Sequence, residues 1–253
     1  MARAQLEQLA ARMRARRSEA GVFLDFDGTL AEIVPRPEEA SALPGVTEVL
    51  EQLTAPFRSV VVVSGRRAAE VGELLGVNVR VFGLHGQEEG SQGLPPTDEV
   101  RRILPSVEAI AAEVGAHVER KGPQVAVHYR DAAHPDEVGS KLLARLEPIA
   151  REAGLRTTGG RRIVEIAAAD APSKGDVVER IAGEESLRAV LYAGDDVGDL
   201  DAFAAVDRLV RRGLAGVKVA VASPEAPPEL LAAADATVDG PRELLEFLRL
   251  LLT

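Results

Sequence analysis

The chain has 253 residues, a formal net charge of -10 and no cysteine, so it has no disulfide framework, thiolate nucleophile or thiolate metal site. The acidic balance argues against a nucleic-acid surface, and an aromatic share of 3%, without Trp, offers no stacking platform for single strands. Apolar residues make up 46% of the chain, enough for a core, yet no apolar run approaches the ~20 residues of a membrane span.

The first segment, Met1 to Arg17, carries basic residues that no apolar stretch follows. It predicts a short helix, not a signal peptide, and with the missing span it predicts a soluble cytoplasmic protein. Three later segments share one pattern, a short apolar and β-branched run that stops at polar or glycine residues. They are Val22 to Leu24 before Asp25, Val60 to Val63 before Ser64-Gly65-Arg66, and Ala189 to Tyr192 before Gly194-Asp195-Asp196. Such runs suit strands buried on both faces of a parallel sheet. Further strands are predicted at Val79 to Phe82 and Val217 to Ala222. Helical patterns follow or lie between them at 48–53, 67–75, 175–181 and 200–206. The alternation predicts a doubly wound, Rossmann-like α/β core.

The middle of the chain differs. A helix over 100–114 precedes two strands, Val118 to Arg120 and Gln124 to Tyr129, joined by Lys121-Gly122-Pro123. A helix over 136–152 and two more strands, near 155–158 and 162–166 around Gly159-Gly160, follow. This reads as an α+β unit of two antiparallel pairs and two helices, inserted into the core. Core residues 1–95 and 169–253 then flank an insert at 96–168, with hinges near Gly93 to Pro96 and Ala168 to Pro172.

Asp25-Phe26-Asp27-Gly28-Thr29 carries the strongest chemical signal. Asp25 ends a strand, where open α/β sheets bind ligands, and Asp27 reaches the same space from the turn. One carboxylate can attack phosphorus while the other handles protons; a lone Asp-x-Asp would instead read as a solvated turn. The run Gly194-Asp195-Asp196-Val197-Gly198-Asp199 gathers carboxylates that repel one another unless a cation or solvent disperses them, and oxygen-only ligands select a hard ion such as Mg²⁺. Asp199 also fits a helix cap. Ser64, Gly65 and Arg66 offer a hydroxyl and helix N-terminal amides, a phosphate cradle or simply a cap. Lys174, opening a helix against its dipole, suggests an anion partner or a solvated surface lysine.

Taken in order, Asp-x-Asp-Gly-Thr, Ser-Gly-Arg, Lys-Gly and Gly-Asp-Asp-x-x-Asp resemble the motifs of the haloacid dehalogenase (HAD) superfamily of phosphotransferases. The insert lies where that superfamily places its type 2 caps. The resemblance implies a nucleophile at Asp25, an acid/base at Asp27, phosphate contacts from Thr29, Ser64, Gly65, Arg66 and Lys174, and Mg²⁺ on Asp25, the Asp27 carbonyl and Asp195. Asp196 and Asp199 would stand behind those ligands. Gly83-Leu84-His85-Gly86, Glu119-Arg120-Lys121-Gly122, Val127-His128-Tyr129-Arg130, Val164-Glu165-Ile166 and Phe203 are similar to trehalose-6-phosphate phosphatases. That narrower resemblance implies sugar contacts from Glu119, Lys121 and Glu165, with His85 and His128 also facing substrate. It implies a functional link to a trehalose-6-phosphate synthase as well. By themselves His128 reads as a strand histidine, and Glu119 with Lys121 as a solvated pair. Gly198 and Leu200 depart from the family's Thr and Glu, which bears on sugar choice. The alternatives are a phosphatase of sucrose 6-phosphate or of a mannosyl- or glucosyl-phosphoglycerate, a phosphosugar mutase, and a non-catalytic sugar-phosphate-binding domain.

Overall fold

The structure is a computed structural model describing residues 2–34, 36–90, 92–160 and 162–253. The chain runs α1 (Ala2–Arg14), β1 (Ala20–Leu24), α2 (Val46–Thr54), β2 (Ser59–Val63), α3 (Ala68–Leu75), β3 (Arg80–Gly83) and a short β4 (Glu88–Glu89). Then come α4 (Asp98–Glu113), β5 (His117–Arg120), β6 (Val125–His128), α5 (Pro135–Glu152), β7 (Leu155–Gly160) and β8 (Ile163–Ala168). The last part holds α6 (Lys174–Glu184), β9 (Ala189–Gly194), α7 (Asp199–Arg211), β10 (Ala215–Ala222), α8 (Pro228–Ala233), β11 (Ala236–Asp239) and α9 (Gly240–Leu250).

These elements form two units, one of Met1–Gln92 with Pro172–Thr253 and one of Gly93–Ala171. Both boundaries fall in connecting segments, three residues outside the 96–168 insert expected from the sequence. In the first unit a seven-stranded sheet has the order β11-β10-β9-β1-β2-β3-β4. Its pairs are parallel except β3 with β4. Every residue of β1, β2 and β9 is buried, because helices cover both faces. Val22, Leu24, Val60, Val62 and Leu191 pack with residues of α1, α2, α3 and α9. Phe23, Val61, Val63, Val190 and Tyr192 pack with α6, α7 and α8. Continuous apolar runs are what two-sided burial requires. The chain winds outward from β1 through β2 and β3, then returns beside β1 with β9 and moves the other way. The reversal between β1 and β9 opens a crevice at the strand ends.

In the second unit β5-β6-β8-β7 form one four-stranded antiparallel sheet. The two expected pairs are therefore joined, through β6 and β8, with Ala126 opposite Glu165. Gly159 and Gly160 belong to β7 rather than to the turn after it. One sheet face supplies Val125, Val127, Val164 and Ile166 to a core with α4 and α5. The other carries Glu119, Ala126, His128 and Glu165, since residues two apart share a face. Strands β4 and β11 and helices α8 and α9 were not expected; β4 has two residues, and Ala236-Thr237-Val238-Asp239 is too short and mixed to show a period. No described helix is long and apolar enough to cross a membrane.

Candidate active site

Asp25 follows directly on β1, and its amide donates to the Ala193 carbonyl of β9 at 2.9 Å. The sheet ladder thus fixes its backbone at the reversal point. Asp195 leaves β9 beside it. Asp25, Asp195 and Asp199 each offer a carboxylate oxygen within 4.8 Å of the others, and all three are buried. Lys174, the first residue of α6, lies between two of them: its Nζ is 2.8 Å from Asp25 Oδ1 and 2.8 Å from Asp199 Oδ1. The lysine is 4% exposed, so the partner suggested by its place at a helix start is a pair of carboxylates. Ser173 caps that helix with a full capping box shared with Asp176, which anchors the turn that presents Lys174.

The three aspartates have different surroundings. Asp199 accepts from Lys174 Nζ at 2.8 Å and the Tyr192 hydroxyl at 2.6 Å on one oxygen, and from the Asp195 and Asp196 amides at 2.9 Å on the other. It ties the acidic loop together and makes no cap for its own helix, whose N-cap is Gly198. Burial alone would raise its pKa, but Lys174 and these donors outweigh burial and lower it. Burial also drives Asp25 upward, to about 7; Lys174 opposes the rise, and Asp199 and Asp27 add to it. Asp195 accepts from Thr29 Oγ1 at 3.3 Å. The turn after β1 presses so close to it that a Cβ on Gly28, at φ +77°, would stand 1.9 Å from Asp195 Oδ2. Asp196 accepts from the Val197 amide at 2.6 Å, within its own loop.

The donor set fits a hard divalent cation. Oxygen is its only ligand type, and two carboxylates from neighbouring strands converge at the crevice. Asp199 already takes four protein donors, so Asp25 and Asp195 are the carboxylates suited to ligate.

Ser64 is fully buried after β2, and its Oγ accepts the Arg66 amide at 3.1 Å across Gly65. Helix α3 begins at Ala68, whose amide donates to Glu88 Oε2 at 3.3 Å, so this helix-start amide faces a carboxylate. The Arg66 guanidinium is paired with Asp27 and Glu70. His85 and Leu84 both adopt left-handed backbone, φ 58° and 51°. Their amides bond the Ser64 carbonyl at 2.9 Å and the Arg66 carbonyl at 2.8 Å. The His85 ring lies 4.0 Å and the Lys174 Cε 3.8 Å from where a Cβ on Gly198 would stand. Gly198 therefore sits against two residues of the site, and a side chain there would meet only ordinary contacts.

The second unit brings the remaining expected residues together. Glu119 Oε2 is 2.8 Å from His128 Nε2 and 3.3 Å from Lys121 Nζ, which is 3.7 Å from Glu165 Oε1. Burial would raise the pKa of Glu119, but His128 and Lys121 outweigh it and hold the group at about 2.

Sequence reasoning missed Tyr192, Glu70, Glu88 and Ser173. A tyrosine within an otherwise apolar buried strand was a usable signal for Tyr192, because a buried phenol needs a hydrogen-bond partner. Glu70, four residues after Arg66 at a helix start, offered an i,i+4 charge pair as a signal, whereas Glu88 gave none, since its partners Arg67 and Ala68 are set by folding.

The doubly wound sheet with its inserted α+β unit is a fold shared with a solved phosphatase of the HAD superfamily from Bacteroides thetaiotaomicron, at a TM-score of 0.59 and 19% identity. The chain belongs to the Trehalose-phosphatase family, whose sequence profile matches residues 23–229. An uncharacterized glycosyl hydrolase of Mycobacterium tuberculosis is 39% identical over 203 residues, 73% of this chain and 15% of its own length. A trehalose-phosphate phosphatase of the same species is 33% identical over 247 residues, 90% of this chain and 60% of its own. The chain thus spans less than two thirds of the length of each of these relatives. The C-terminal domain of Candida albicans trehalose-6-phosphate phosphatase shares the fold, with a TM-score of 0.82, 24% identity, and coverage of 97% of this chain and 96% of that one.

Proposed function

We propose that this protein is a Mg²⁺-dependent phosphatase that releases phosphate from trehalose 6-phosphate through an aspartyl phosphate at Asp25. The observation that carries this reading is the convergence of Asp25, Lys174 and Asp195 at the β1/β9 crevice, in a chain whose family acts on that sugar phosphate. Asp25 and Asp195, with the Asp27 carbonyl, would hold Mg²⁺, which supplies charge neutralisation for the phosphoryl oxygens. Asp25 attacks phosphorus, and the P–O bond to the sugar breaks. Asp27 gives a proton to the departing sugar oxygen. It then takes one from the water that attacks the aspartyl phosphate, which frees inorganic phosphate and restores Asp25. Lys174 stabilises the transferring group and keeps Asp25 aligned for in-line attack. Thr29, Ser64, Gly65 and His85 face the phosphate, and Asp196 and Asp199 support the metal loop. Glu119, Lys121, His128 and Glu165 bind the sugar. The reaction that supplies this substrate is the one run by a trehalose-6-phosphate synthase.

The test is phosphate release from trehalose 6-phosphate, sucrose 6-phosphate and glucosyl-3-phosphoglycerate, with Mg²⁺ and with EDTA. Release from the first substrate, abolished by EDTA and restored by Mg²⁺, is expected. Preference for another substrate leaves the chemistry standing and moves the specificity, for which Gly198 and Leu200 are the residues to examine. Activity unchanged in metal-free buffer refutes the metal assignment, and an isomerised phosphosugar without free phosphate identifies a mutase.

A further inference from the structure

Arg66 is 8% exposed and held on every side. Its Nε donates to Asp27 Oδ2 at 2.7 Å and its Nη2 to Asp27 Oδ1 at 2.9 Å, a two-pronged contact. Its Nη1 donates to Glu70, one turn along α3. The guanidinium carbon lies 5.9 Å from the centroid of the Phe26 ring. The backbone is pinned as well: the Arg66 amide bonds Ser64 Oγ at 3.1 Å, and its carbonyl accepts the Leu84 amide at 2.8 Å. Asp27, in contrast, sits on an open turn with 40% of its side chain exposed. Among the described residues, the side-chain hydrogen bonds recorded for Asp27 come from Arg66. The arginine fork selects one rotamer, since two parallel N–H···O bonds fix both oxygens of a carboxylate. The Arg66, Asp27 and Glu70 side chains together carry one negative charge when Asp27 is ionised and none when it is protonated for its acid step, so in neither state do they hold surplus positive charge to draw in a phosphate dianion.

We infer that Arg66 is a positioning residue that clamps the Asp27 carboxylate for proton transfer, with Glu70 and Phe26 fixing the clamp, and that it is not a phosphate ligand. This rests on the proposed phosphatase chemistry. A carboxylate misplaced by ~1 Å can cost on the order of 10²-fold in rate. The loss should fall only on steps in which Asp27 moves a proton.

The experiment uses the full chain with Mg²⁺ and follows the first turnover and the steady state separately, on p-nitrophenyl phosphate and on trehalose 6-phosphate. Nitrophenolate leaves without a proton, so Arg66→Ala should preserve the first-turnover burst of nitrophenolate within a few-fold. The following turnovers, which need Asp27 to activate water, should slow by on the order of 10²-fold. Phosphoryl transfer from the sugar phosphate should slow already in the first turnover. In an Asp27→Asn background Arg66→Ala should add nothing, and Arg66→Lys, lacking the fork, should restore little. A slowed burst with raised KM on both substrates, persisting in the Asp27→Asn background, makes Arg66 a phosphate ligand and overturns the inference. If Arg66→Ala does not fold, Glu70→Gln loosens the same clamp and should give a weaker version of the same pattern; a uniform loss from that variant overturns it too. A wild type inactive on both substrates refutes the phosphatase reading instead. Independently of turnover, a crystal structure with Asp27 turned away from Arg66 removes the clamp.

Discussion

At the scale of single residues, the site depends on how neighbours set each charge. Asp25 is pushed up to about 7, first by burial, so the ion pair with Lys174 and a cation on its other side are what favour its carboxylate form. The amide of Asp25→Asn is nearly isosteric but cannot attack phosphorus. That variant should keep the wild-type melting profile and lose turnover by on the order of 10³-fold or more. Near-normal turnover would remove Asp25 as nucleophile, as would beryllium fluoride bound at another residue. Glu119 is the opposite case. Its pKa drops from 4.5 to about 2 on folding, so the group adds stability above pH 4.5 that is lost as the pH falls towards 2. Glu119→Gln should therefore be less stable than wild type at pH 7 by urea unfolding. The gap should narrow through that acid window. A gap independent of pH would mean that packing, not the charge, explains the loss.

At the scale of elements, turns carry more of the site than strands do. The turn after β1 works because Gly28, the fourth residue past the strand, has no side chain: at φ +77°, a Cβ there would collide with Asp195. Gly28→Ala should displace Asp195 and weaken Mg²⁺ activation by at least tenfold, read as the Mg²⁺ concentration for half-maximal activity. Gly183→Ala, in α6 with nothing within 4 Å of the added carbon, should raise stability by about 0.5–1 kcal/mol and leave that concentration unchanged. Equal effects from the two substitutions would mean that backbone entropy, not the contact with Asp195, is being measured. Much of this was legible beforehand. Asp25, Ser64 and Asp195 were placed by the apolar runs they terminate, and Lys174 by its position at a helix start. Tyr192 with Asp199, Arg66 with Asp27 and Glu88 with Ala68 were not legible, because each pair joins different elements.

At the scale of the whole molecule, the buried aspartates with Lys174 and the cluster of Glu119, Lys121, His128 and Glu165 lie in different units. The second unit has its own core from α4, α5 and its sheet, and the four polar residues lie together within it. If they grip the sugar, they matter only for substrates that have one. Alanine at Glu119, Lys121 or Glu165 should lower kcat/KM for trehalose 6-phosphate by roughly ten- to a hundredfold, the equivalent of about 1–3 kcal/mol for removing a hydrogen-bonding group from a dry site. Hydrolysis of p-nitrophenyl phosphate should hardly change. Equal losses on both substrates would mean that these residues support folding or closure, not specificity.

Local patterns sufficed for the doubly wound core, for the inserted α+β unit and for the carboxylates and lysine at element ends, because strand period, burial and termini are written in consecutive residues. The joining of two strand pairs into one sheet, the assignment of Gly159 and Gly160 to β7 and the edge elements β4, β11, α8 and α9 needed the folded chain. So did the partners of each charge. Arg66 reads as a phosphate residue beside Ser64 and Gly65, and only the approach of the β1 turn gives it Asp27. Asp199 reads as a helix cap, and only the seat between Lys174, Tyr192 and the loop amides makes it a buried brace. A sequence specifies which charges exist and which element ends carry them. Which of those charges meet depends on how distant segments pack, because a charge–charge interaction of this kind acts over a few ångströms and pattern along the chain does not encode that distance.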